Sequence, residues 1–238
     1  MTPAEDINVI DPDGFIGVVR RGPRHAVYRT CWQGRDAVAK VGPRAEAEAA
    51  LLRRAAHPRV LPVWAIGATR AGAPAFVAPL AASDLDAALS ASGRFTPARA
   101  IAVLQDIAAG LAHLHRIGMR HGDLAPANCL LTEGGRVILA DFEHAGDATT
   151  TGSTVPAGIF AYMAPEVRDG LPLAPTADVY GFGAIGWALL GGAPPAPFAP
   201  PPPGPAALLR LLEDCLSPNT SGRPVDGAEL TRRMTEIV

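Results

Sequence analysis

Residues 121–131, HGDLAPANCLL, place a histidine, an aspartate and an asparagine at fixed offsets: His121, Asp123 and Asn128. A second aspartate, Asp141, ends the apolar run RVILAD. Far upstream Lys40 falls near the end of DAVAKV, and Glu48 follows in a helical stretch. Moving a γ-phosphoryl group calls for such a set. A lysine holds the α- and β-phosphates and a carboxylate holds the lysine; a carboxylate and a carboxamide ligate Mg²⁺; a further carboxylate takes the proton of the acceptor hydroxyl. In chain order, Lys40, Glu48, Asp123, Asn128 and Asp141 offer such groups. Between them stand Gly122, Ala125 and Ala127, where a loop doing this chemistry often carries cationic side chains.

Lys40 is the single lysine among 21 basic residues. An arginine there would be forked and bulky, whereas an ammonium is a compact point charge suited to phosphate. The position of the lone lysine thus favours a retained nucleotide site.

These residues need elements to position them. The first eighty residues alternate short β-like runs with Gly- and Pro-marked turns: 15–19, 26–32, 36–41, 60–67 and 75–80. This is the pattern of an antiparallel meander. One helix is predicted over 44–56, started by Pro43 and stopped by His57-Pro58. After residue 82 helix dominates. Thr96 and Pro97 read as N-cap and N1 of a long helix, with Ile101, Leu104, Ile107, Leu111 and Leu114 on one face and Gly118 at its end. Two short strands, 129–132 and 136–141, are joined by a Gly-containing turn, and further helices are predicted near 176–190, 205–216 and 226–236. Residues 194–205 contain eight prolines and read as a surface loop or as a polyproline docking ligand.

Composition excludes several classes. The net charge of −2 gives no reason to expect nucleic-acid or membrane-surface binding. Three separated cysteines, with no CxxC pair, fit free thiols in a reducing, cytoplasmic setting. The acidic N-terminus lacks an apolar core, so a secretory signal is not expected. Residues 179–190 are apolar but only twelve long, too short to span a bilayer. His113, His115 and His121 do not suggest zinc, because the first two lie two apart on a helix and face different ways.

The chain resembles the protein-kinase superfamily over nearly its whole length. AVAK at 37–40 is similar to the strand-lysine motif, HGDLAPAN to the catalytic loop, DFE at 141–143 to D-F-G, and APE at 164–166 to its counterpart. GIFAYMAPE, TADVYGFG and SGRP are similar to later segments. The resemblance implies an α+β fold: a small antiparallel N-lobe with one helix at about 10–81 and a helical C-lobe at about 82–238, one domain over 1–238. It also implies ATP and Mg²⁺ as cofactors. Asp123 would be the base, Asn128 and Asp141 the metal ligands, and Lys40 with Glu48 the phosphate clamp, Glu46 being the alternative partner. Asp178 would tie down the catalytic loop and Glu166 would pair with Arg223. Gly22 and Val27 would belong to the glycine loop, and Ala78, Pro79 and Ala81 to the adenine site, in a register open by one residue.

The departures from the family divide the functional reading. In the glycine loop only Gly22 is in place, and Arg20, Arg21 and Arg24 are candidates to contact phosphate instead. Gly122 replaces the arginine that reads a phosphorylated activation loop, so the TTTGST run at 149–154 would lack that partner. Ala125 and Ile159 replace a lysine and a threonine that work together, which removes positive charge where it stabilises the transferring group. HGDL…N with DFE is also similar to aminoglycoside and choline phosphotransferases, in which Glu143 would add a carboxylate near a metal. The expected function is an ATP- and Mg²⁺-dependent phosphotransferase, by resemblance a variant Ser/Thr protein kinase. The alternatives are a nucleotide-binding pseudokinase acting as an interaction module and a kinase for a peptide or small-molecule hydroxyl.

Overall fold

A computed structural model describes residues 8–10, 14–22, 25–147, 160–196 and 199–237. They divide into two compact units. One comprises the described part of Met1–Ala56 with Leu61–Leu80, the other His57–Val60 with Ala81 onward.

The first unit is a six-stranded sheet in the order β1-β5-β6-β4-β3-β2, with one helix. Its strands are β1 (Asn8–Val9), β2 (Gly17–Arg21), β3 (Ala26–Trp32), β4 (Arg35–Val41), β5 (Ala65–Ala68) and β6 (Pro74–Pro79), and α1 is Ala45–Arg54. β1 pairs parallel with β5, and the other pairs are antiparallel. Alternation along β4 and β6 sorts the two faces. Ala37, Ala39, Ala75 and Val77 pack with Ile10 and Ala65 in one cluster. Val27, Lys40 and Phe76, which stand opposite one another in register, share the other face. Small residues on three neighbouring strands let the sheet build a dry core in a short chain.

Two strand expectations are corrected. The run at 15–19 forms its strand two residues later, with a bulge between Val18 and Arg20. Of 60–67, only the end enters a strand, because Pro62 has no N–H for a ladder. Residues 57–60 belong instead with the second unit. There Arg59 accepts the Leu139 N–H through its carbonyl (2.9 Å) and pairs with Asp106 (3.1 Å).

The second unit is built on α3 (Pro97–Arg116) and α5 (Pro175–Gly191), with α2 (Leu85–Ser92), α4 (Pro165–Arg168), α6 (Ala206–Cys215) and α7 (Gly227–Thr235) around them. Side-chain caps explain the starts: Thr96 accepts from the Arg99 N–H, Asp84 from Ala87 and Asp226 from Glu229. Helix α5 is buried nearly all round. Cβ atoms on Gly183 and Gly186 would lie 2.7 Å from Cys215 and 2.4 Å from Leu212, so these glycines admit α6 closely. Among the described residues no helix is long and apolar enough to cross a membrane.

Short strands complete the unit: β7 (Ser83–Asp84), β9 (Cys129–Leu131) and β10 (Val137–Leu139) in one sheet, β8 (Met119–Arg120) and β11 (Gly146–Asp147) in another. In the proline-rich segment Pro202 is buried and lies 3.3 Å from where a Cβ on Gly191 would be, so the loop is anchored on the end of α5.

Candidate active site

In the first unit, the β4 strand carries Lys40 on the face shared with Val27 and Phe76, and the first turn of α1 carries Glu48. Lys40 Nζ lies 2.7 Å from Glu48 Oε2, with the residues only 6% and 2% exposed. Glu46 is exposed, which selects Glu48 between the two carboxylates. The geometry follows from helical spacing: α1 begins at Ala45, so Glu48 falls one turn along, beside buried Ala45, Ala49 and Leu52.

Gly22 closes the β2–β3 turn, its N–H donating to the His25 carbonyl at 2.9 Å. Its backbone is not left-handed and a Cβ there would meet only ordinary contacts, so glycine is not demanded by conformation. Arg20 and Arg21 are exposed; Arg24 lies outside the described residues. Ala78 is fully buried in β6, Pro79 ends that strand opposite Ala37, and Ala81 opens the second unit.

In the second unit, Asp178 on α5 anchors the loop that bears Asp123. Its carboxylate accepts the N–H groups of His121 (2.8 Å) and Gly122 (2.9 Å) and also contacts His115 Nε2 (3.0 Å). Burial alone would push the Asp178 carboxyl up. The hydrogen bonds from His115 and from the Gly122 N–H outweigh burial and hold it below the usual carboxylate range. The His121 ring is fully buried, 3.0 Å from the Ala140 carbonyl and edge-on to Phe142. It joins the loop to the segment that carries Asp141.

Asn128 donates through Nδ2 to the Asp123 carbonyl (2.8 Å) and carboxylate (3.0 Å). The β9–β10 hairpin brings the two candidate metal ligands toward each other: Cys129, after Asn128, pairs with Leu139, and the Ala140 N–H donates to the Asn128 carbonyl at 2.9 Å. Asp141 has φ 63°, a left-handed conformation costly for a non-glycine residue. A carboxylate oxygen of Glu143 lies within 4.8 Å of one of Asp141. Burial pushes the Asp123 carboxyl above its usual range, against the charges of His121 and His144.

Below the loop, Gly122, Asp123, Tyr162, Met163, Val167 and Leu173 help line a small cleft of about 20 Å³. Glu166 and Arg223 form a bidentate pair at 2.6 and 2.8 Å, and Arg223 also donates to the Ser217 and Thr176 carbonyls. Residues 149–154 and Ile159 lie outside the described residues.

Residue-type reasoning did not single out His115. Its ring is turned to Asp178, whereas His113 stacks on His57 at 4.6 Å, so the two helix histidines do face apart. Among the described residues no group of three potential metal ligands contains a histidine.

The family model described as "Protein kinase domain" matches residues 31–200. The chain belongs to the protein kinase family. It is 34% identical over 148 residues to "Serine/threonine-protein kinase PknK" of Mycobacterium bovis, covering 60% of this chain and 13% of that protein. It is 33% identical over 155 residues to "Serine/threonine-protein kinase PknD" of Mycobacterium tuberculosis (64% and 23%). With "Serine/threonine-protein kinases drp72" of Corynebacterium efficiens it shares 30% over 170 residues (63% and 32%). The chain therefore matches less than a third, or about a third, of each relative's length.

Proposed function

We propose that the chain is an ATP- and Mg²⁺-dependent phosphotransferase acting on a hydroxyl, by kinship a Ser/Thr of a protein, with a loop that lacks the usual arginine. The buried Lys40–Glu48 pair carries this reading. Burying two charges costs several kcal/mol, roughly, before their attraction is counted, and the only lysine of the chain is placed there.

Lys40, held by Glu48, would bind the α- and β-phosphates. Asp123, fixed by Asn128, would orient the acceptor hydroxyl and take its proton, for which an upward-shifted carboxyl is suited. Asn128 and Asp141, with Glu143 near, offer the oxygen donors that suit Mg²⁺. Bound there, the ion would neutralise charge on the phosphate oxygens. Val27, Ala78, Pro79 and Ala81 would receive the adenine, and Gly22 would cover the phosphates. The separated thiols support a reducing, cytoplasmic setting.

A second reading, a nucleotide-binding pseudokinase, is favoured by Ala125. It is only 5% exposed and puts no charge where the family has a lysine. In that case the 194–205 loop is the candidate docking ligand. The Asp141–Glu143 proximity supports a small-molecule acceptor as a variant of the active case.

The test is phosphate transfer and ADP release with Mg·ATP, in wild type, Asp123→Asn and Lys40→Met. Transfer that both substitutions abolish supports the enzyme. Wild-type transfer no higher than in Asp123→Asn, in a protein that still binds ATP, selects the pseudokinase.

A further inference from the structure

The last helix reaches the catalytic loop through one histidine. Helix α7 begins at Gly227, behind the N-cap Asp226. A Cβ on Gly227 would lie 2.3 Å from the Ala112 nitrogen and 2.4 Å from the Leu111 carbonyl carbon, so this end of α7 rests directly on the backbone of α3. From there the Gly227 N–H donates to His115 Nδ1 at 2.9 Å. The first N–H groups of a helix have no partner within it, so this donor is free to serve a side chain.

The bond has a chemical consequence. A nitrogen that accepts an N–H carries no proton, so the proton of the neutral ring is on Nε2. Nε2 is the atom 3.0 Å from Asp178 Oδ2, and the same carboxylate accepts the N–H groups of His121 and Gly122. In the other tautomer a ring lone pair would face the carboxylate and repel it. The His115 side chain is 2% exposed, leaving no water to relieve that repulsion.

We propose that Gly227 and His115 are positioning residues: the N-terminus of α7 sets the His115 tautomer, and through Asp178 it sets the backbone just before Asp123. This deepens the phosphotransferase reading, since it rests on that loop being the reacting one. Residues 112 positions apart are thereby linked.

The experiment reads tautomer and loop stability without needing turnover. Nitrogen NMR of the His115 ring should show Nδ1 unprotonated; a proton on Nδ1 would overturn the proposal. Gly227→Ala should speed hydrogen exchange at the His121 and Gly122 amides by about tenfold. The decisive comparison is Gly227→Ala made in a His115→Gln background. The glutamine amide at the Nε2 position is always a donor to Asp178 and needs no α7 contact to set it. There the added Gly227→Ala should leave the exchange of His121 and Gly122 unchanged. Equal acceleration in both backgrounds would mean that α7 only stabilises the unit, and would sink the idea. If Gly227→Ala does not fold, Asp226→Ala loosens the same turn without inserting a Cβ, and the same comparison applies. Where transfer is measurable, kcat should fall with the KM for ATP unchanged. Should the protein transfer no phosphate, the ring and exchange readouts still decide this proposal separately.

Discussion

A Cβ on Gly122 would lie 2.6 Å from the carbonyl oxygen of His144. Gly122 also has φ +77°, a conformation that side chains resist. The chain after Asp141 thus rests on the loop where the family carries an arginine. Nearby, β8 pairs with β11 and Arg120 donates to the Gly146 carbonyl at 3.1 Å. This start of the activation segment is held by backbone contact that involves no phosphate.

Gly122→Ala is therefore expected to destabilise the protein by about 1–3 kcal/mol, and Gly122→Arg by at least as much, through strain at a left-handed residue. Chemical denaturation of both variants checks this. An unchanged midpoint would show that the close approach to His144 is not maintained.

Glu48→Ala should cost about 3 kcal/mol by leaving the Lys40 ammonium buried without its carboxylate. The double variant Lys40→Met/Glu48→Leu should recover most of that stability, because it removes both charges. ATP affinity, measured by calorimetry, should stay lost in the double variant. Stability would then recover without binding.

The Asp178 carboxyl is held below its unfolded value, so it contributes stability at neutral pH. That contribution is complete above about pH 4, the ordinary carboxylate value, and is lost as pH falls through the lower folded value. Unfolding curves across acid pH should show wild type losing stability there relative to Asp178→Ala. At neutral pH, Asp178→Ala should be less stable by about 1–3 kcal/mol for each N–H left without an acceptor.

Arg223→Lys should cost about 2 kcal/mol, although it conserves charge. An ammonium cannot reproduce the two parallel bonds to Glu166 while also donating to Ser217 and Thr176. Thermal unfolding reads the loss.

Much of the fold was legible because its signals are local. Thr96-Pro97 starts α3, the apolar run at 179–190 is a buried helix, and β3, β4 and β6 lie close to their expected spans. Elements of two residues, such as β1, β7, β8 and β11, were not legible. They are too short for a periodic pattern and exist only through pairing with distant chain. The strand expected from residue 60 failed for the same reason. Its first residue, Val60, bridges to Leu139 within the second unit instead.

The sequence by itself determined which groups are present and at what local offsets: one lysine, the Asp123–Asn128 spacing, Asp141 at a strand's end. Residue types and short spacings are properties of the chain alone. Only the tertiary structure decided between Glu48 and Glu46, turned His115 rather than His113 toward Asp178, and made Gly122 a site of close contact instead of a missing arginine. Each of those depends on which backbone lies against which. Apart from the Lys40–Glu48 contact, they join residues 22 and 63 positions apart, brought together by packing that no local pattern encodes.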